Sequence, residues 1–108
     1  MTNGLSQYRI PPQDIVAEQA ILGSLLLDNS IQEYVACISA KDFYKEAHRK
    51  IFRAILEITE KGENCDLLSC TSYMTNKGML EDIGGAAYLS SLLDMEVITT
   101  GNIRFFVN

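Results

Sequence analysis

Residues 47 to 62 read AHRKIFRAILEITEKG, and within them His48, Ile51, Ile55 and Ile58 recur at intervals of three and four. That spacing places all four on one stripe of an α-helix, with Phe52, Leu56 and Thr59 flanking it. Gly62 follows the last periodic residue, where a glycine can take the left-handed conformation that stops a helix. The pattern predicts a helix from about residue 47 to residue 61.

The same helical period continues on both sides. Downstream, Asp66 can cap a helix over 67–77, which Gly78 ends. A turn-rich stretch over 78–85 leads into a predicted helix at 86–95 with Tyr88, Leu89, Leu92 and Leu93 on its apolar side. Thr99 or Thr100 can cap a last helix carrying Ile103, Phe105, Phe106 and Val107. Upstream, residues 39–47 suit a one-turn helix that plants Phe43 and Tyr44 in the core. Asp28, Asn29 and Ser30 supply caps for a short helix containing Ile31, Tyr34, Val35 and Ile38. From Pro12 the chain is again helical: Ile15, Leu22 and Leu26 share one face, while Ala17, Ala20, Ser24 and Leu27 form a second. A helix with two faces to cover belongs in the middle of the fold or at a subunit contact. Gly23 within it marks close approach by a neighbouring helix. Residues 1–11 lack periodicity and read as a flexible N-terminal arm. No segment alternates with period 2 between turns, so the expected class is all-α: a compact bundle of about six short, orthogonally packed helices without a sheet.

Composition sets the limits. The chain has 108 residues, 47% of them hydrophobic, which is enough for one core. Nine Lys and Arg stand against fourteen Asp and Glu, a net charge of −5 and the wrong sign for a domain whose task is to grip a phosphate backbone. Cys37, Cys65 and Cys70 include no CxxC pair, so they read as thiols in a reducing cytosol rather than as a disulfide frame or zinc site. The N-terminus has no signal-like apolar run and no stretch approaches the ~18 apolar residues of a membrane span, which points to a cytoplasmic protein.

Little catalytic chemistry is legible. Gly84-Gly85 lacks the Lys followed by Ser or Thr that a phosphate loop needs, and no strand precedes it. His48 is the single histidine, which excludes a two-imidazole metal site, and its place on the Ile51 stripe makes it a core or capping residue rather than a catalytic base. The carboxylates are scattered over polar faces and read as solvated surface. A helix-turn-helix fails because eight residues separate 77 from 86 and the second helix has no Lys or Arg. No catalytic, cofactor-binding or metal-binding residue is assigned. One charge feature stands out: Lys41, Lys45, Arg49 and Arg53 recur every fourth residue beside Lys50, a local +3 against −3 over 1–40 and −5 over 54–108. Such a dipolar distribution suits docking to a partner or to another copy. The plainer reading is a solvated face with Glu46–Lys50 and Arg53–Glu57 pairs.

The sequence also resembles the N-terminal domain of bacterial and phage replicative DNA helicases of the DnaB type. The matching pieces, in order, are Pro12 with Glu18-Gln19-Ala20-Ile21-Leu22-Gly23 and Leu26-Leu27-Asp28-Asn29. They continue with Asp42-Phe43-Tyr44, His48-Arg49-Lys50-Ile51-Phe52, Gly62, Asp66-Leu67, Gly78-Met79-Leu80, Gly84-Gly85-Ala86-Ala87-Tyr88-Leu89 and Asn102-Ile103. Each is short; together they keep the family's order over residues 12–107. Val16 stands where the family usually has an acidic residue, and Phe105 or Phe106 where it has a tyrosine.

The resemblance implies that residues 12–108 form the collar domain of a hexameric ring, non-catalytic by itself. It further implies that the chain stops within the helix leading to a helical hairpin, and that the RecA-like ATPase domain, with its ATP, Mg²⁺ and channel DNA contacts, lies outside it. Implied partners are other copies pairing as collar dimers, the C-terminal domain of primase and a helicase loader, at a cytoplasmic replisome. The candidate interface residues are Lys41, Lys45, Arg49, Arg53, Phe105 and Phe106; without the hairpin, only weak dimerisation is expected. Two other readings differ in class: a stand-alone adaptor that captures primase or helicase subunits, and a small acid–base enzyme, which requires a pocket with strongly perturbed carboxylates.

Overall fold

The computed structural model describes residues 10–33 and 35–94, and among these the regular structure is entirely helical. Four α-helices carry the fold: α1 (Ile15–Leu27), α2 (Glu46–Glu60), α3 (Leu67–Asn76) and α4 (Gly85–Ser91), with 3₁₀ turns at Asn29–Glu33, Ala40–Asp42 and Glu81–Ile83. The class agrees with expectation, but the count of about six helices does not. Two of the expected short helices are 3₁₀ turns, and the helix expected after Thr99 lies outside the described residues.

Helix α1 runs through the middle. Ala17, Glu18 and every residue from Ala20 to Leu26 are buried, so cover comes from all sides, as its two apolar faces require. It starts at Ile15 rather than at Pro12 because Asp14 is the N-cap, its Oδ1 accepting from the Ala17 amide at 2.9 Å. Helix α2 packs against α1, and its stripe of His48, Ile51, Ile55 and Ile58 is buried with Phe52 and Ala54. Helix α3 packs on α2, and α4 on α3. Gly62 and Gly78, with φ of 83° and 70°, end α2 and α3 in the left-handed conformation.

The start of α3 shows how tightly local sequence can specify a helix end. Asp66 and Ser69 form a reciprocal capping box, each side chain bonding the other's backbone amide at 2.9 Å. Cys65 and Cys70, both fully buried, occupy the positions before the cap and four residues into the helix where apolar residues staple the entry. Cys37, by contrast, is exposed.

Two expectations upstream of α2 are corrected. Phe43 is buried, with its ring centroid 5.0 Å from that of Phe52, but Tyr44 is 59% exposed. The backbone at Phe43 and Lys45 is extended, so successive side chains point to opposite sides, and a single turn cannot bury both aromatics. The helix expected after Asp28-Asn29-Ser30 is a 3₁₀ turn because Asn29 is fixed elsewhere. Its Nδ2 donates to the Leu25 carbonyl at 2.7 Å and the Cys65 carbonyl at 2.8 Å, while its Oδ1 accepts from the Cys65 amide at 2.7 Å. Of the expected arm, only its last two residues are described, and Ile10 is buried in the core.

Candidate functional site

Among the described residues, a buried carboxylate and imidazole form one hydrogen-bonded arrangement. Glu18, in the first turn of α1, is fully buried, and its carboxylate lies at the entrance to α2. Oε2 accepts from the Tyr44 amide at 2.6 Å; Oε1 accepts from the Lys45 amide at 3.4 Å and meets His48 Nδ1 at 2.7 Å. Lys45, the N-cap of α2, provides no side-chain cap of its own. A carboxylate from a neighbouring helix therefore satisfies the amides at and just before the α2 cap and places negative charge at the positive end of its dipole.

The network continues to α4. His48 Nε2 lies 2.6 Å from the Tyr88 hydroxyl, which also accepts from Gln19 Nε2 at 3.2 Å. The donors and acceptors have one consistent order: Gln19 donates to Tyr88, Tyr88 O–H donates to His48 Nε2, and His48 Nδ1–H donates to Glu18. Burial holds the imidazole below its usual pKa of 6.5, outweighing the hydrogen bond and the negative charge of Glu18, which pull it up; the Lys45 charge adds to the lowering. His48 is thus neutral at pH 7 and bridges α1 to α4. Gly84 makes room for this geometry, because its φ of 106° is left-handed and a Cβ there would lie 2.8 Å from Tyr88 Cβ.

A carboxylate, an imidazole and a hydroxyl in line have the makings of an acid–base relay. Here both Glu18 and His48 have no exposed surface. Three clefts among the described residues, two of them of about 550 Å³, are lined by other residues. Neither group meets solvent, and the hydrogen bonds they make tie α1, α2 and α4 together. Among the described residues no group of His, Cys, Asp and Glu could hold a metal ion, and no helix is long and apolar enough to cross a membrane.

The basic candidates are not one free stripe. Lys45 Nζ lies 4.9 Å from the centroid of the Tyr88 ring, and Arg49 donates from Nε to the Phe43 carbonyl at 2.7 Å and pairs with Glu46 at 3.2 Å. Lys50 pairs with Asp82 at 3.7 Å, while Lys41 and Arg53 are exposed. The expected Glu46–Lys50 and Arg53–Glu57 pairs give way to these partners, and Glu57 accepts from the Tyr73 hydroxyl, pushing that phenol up to about 12. Phe105 and Phe106 lie outside the described residues. Sequence reasoning placed His48 in the core but missed Glu18 and Tyr88 as its partners, reading every carboxylate as surface. The available signal was a lone glutamate on a helix whose remaining faces both needed cover.

A body of four α-helices with its single imidazole buried beneath a mixed-charge outer face is, as a class, a small all-helical domain. The chain belongs to the DnaB-like helicase N-terminal domain family, whose model matches residues 10–108. It is 42% identical over 103 residues to the replicative DNA helicase DnaB of Geobacillus stearothermophilus, covering 94% of this chain and 22% of that protein. It is 38% identical over 99 residues to the replicative DNA helicase DnaC of Bacillus subtilis, covering 91% and 22%. The crystal structure of the N-terminal domain of DnaB helicase from Mycobacterium tuberculosis superimposes with a TM-score of 0.74 at 33% identity, covering 86% of this chain and 71% of that one. The chain thus spans about a fifth of the length of these curated helicases.

Proposed function

We propose that this chain acts as the collar module of a replicative DNA helicase, a non-catalytic domain that supports ring assembly and recruits primase or a loader at the cytoplasmic replisome. The carrying observation is the family match over residues 10–108, within relatives named as replicative helicases more than four times this length. ATP, Mg²⁺ and DNA are then handled by a motor domain, and the acidic balance of this chain suits a module that docks proteins instead of phosphate. Exposed Lys41 and Arg53, with the outer parts of Lys45 and Arg49, offer a positive face for an acidic partner.

The test is calorimetric titration of the 108-residue chain with the C-terminal domain of primase, beside an assay of ATP hydrolysis by the chain alone. Saturable binding without hydrolysis is expected, weakened by K41E/R53E. ATP turnover by the purified chain would overturn the non-catalytic reading, and absence of binding would overturn primase recruitment.

A further inference from the structure

Cys65 and Cys70 bracket the capping box of α3, one residue before the Asp66 cap and four residues after it. Side chains at those two positions converge across the first turn of a helix. Both are fully buried, and each thiol is the strongest influence on the other, with the Cys70 S–H directed at the Cys65 sulfur. The Cys65 backbone is fixed as well: its amide donates to Asn29 Oδ1 at 2.7 Å and its carbonyl accepts from Asn29 Nδ2 at 2.8 Å. An apolar staple needs only two small hydrophobic side chains. Two sulfurs in contact add the capacity to form a bond.

The two thiols are not equivalent. Hydrogen bonds from Cys70 and from the Ser69 hydroxyl hold the Cys65 thiol below the usual cysteine range, against its burial and the Asp66 charge. Cys70, kept protonated as the donor and buried, is pushed up. One sulfur is thus suited to attack and the other to resolve. We propose that Cys65 and Cys70 are a modification site, a dithiol that hydrogen peroxide converts reversibly to a disulfide clipping the start of α3. The Cys65 thiolate attacks one peroxide oxygen; the O–O bond breaks, and the departing hydroxide takes up the thiol's former proton, leaving a sulfenic acid and water. The Cys70 sulfur then attacks the Cys65 sulfur, its proton joins the departing hydroxide, and an S–S bond replaces S–O with release of a second water. The two thiols lose two electrons and the peroxide gains them. Peroxide enters when the first turn of α3 opens, and the Asp66–Ser69 bonds that close this turn lie at the surface. A small thiol reverses the change by exchange. The inference is independent of the collar role proposed above.

Both cysteines fall in one tryptic peptide, residues 62–77, between Lys61 and Lys77. The test exposes the folded 108-residue chain carrying C37S to hydrogen peroxide, removes the peroxide with catalase, alkylates the remaining thiols in urea and weighs that peptide. The expected product is unalkylated and lighter by two hydrogens, and treatment with dithiothreitol restores double alkylation. In C37S/C70S, dimedone should trap a sulfenic acid at Cys65, whereas in C37S/C65S the Cys70 thiol should react at least about tenfold more slowly. Helical circular dichroism equal to that of the parent chain shows that each variant is folded. Two results overturn the proposal: thiols that both stay reduced in the folded chain and oxidise only after urea unfolds it, or disulfides found only between chains. Equal rates in the two single-cysteine variants would overturn Cys65 as the attacking sulfur.

Discussion

Replacing Glu18 by Gln keeps the side chain's shape and removes only its ability to accept on both sides. In the native network the two oxygens take the Tyr44 amide at 2.6 Å and His48 Nδ1–H at 2.7 Å. Whichever way the new amide faces, its NH₂ opposes one of these donors. His48 can escape by moving its proton to Nε2, but that N–H then confronts the Tyr88 hydroxyl, which must give up its own acceptor. In either arrangement one donor, the Tyr44 amide or the half-buried Tyr88 hydroxyl, loses its native acceptor, at a cost of up to about 1–3 kcal/mol. For a domain near this size that is a Tm lower by about 5–15 °C. Urea or thermal denaturation of wild type, E18Q, H48A and the double variant measures it, and contact between the groups predicts that the effects fail to add by at least about 0.5 kcal/mol. E18Q within about 0.5 kcal/mol of wild type, and additive with H48A, would show that the network does not hold the helices together.

Other consequences of the geometry are separately measurable. Asn29→Ala removes three hydrogen bonds and strands the Cys65 amide, so denaturation should show a loss of about 2–4 kcal/mol, well beyond an ordinary surface change. Gly84→Ala puts a Cβ against Tyr88 at a left-handed φ, and a loss of at least about 1–3 kcal/mol is expected by the same assay. The depressed pKa of His48 makes stability depend on pH: the unfolded imidazole binds its proton near 6.5 and the folded one only below that. Stability is therefore full above about 6.5 and falls as pH drops toward the folded value, and the component of the slope absent from H48A between pH 7 and 5 reports it.

The helical class, the boundaries of α2 and α3 and the two glycine stops were legible because each rests on local rules: a 3.6-residue period, a cap and a left-handed stop. Glu18 was not legible, since its partners lie 26 to 30 residues away and no periodicity reveals a carboxylate that caps another helix. The length of the turns after Leu27 was hidden for a similar reason: Asn29 looks like a helix cap in sequence, but it is committed to Cys65 across the fold. The resemblance included Glu18, Gln19, His48, Gly84 and Tyr88 without pairing them. They come from three separate motifs, and the structure gathers them into one buried network.

The account stands on that network being a structural pin and not a working acid–base centre. The most direct measurement is the ¹⁵N spectrum of His48 across pH in the native chain. It should show a neutral ring protonated on Nδ1 at pH 7, with that proton exchanging slowly with water. An imidazolium at pH 7, or a ring proton in fast exchange with solvent, would contradict it.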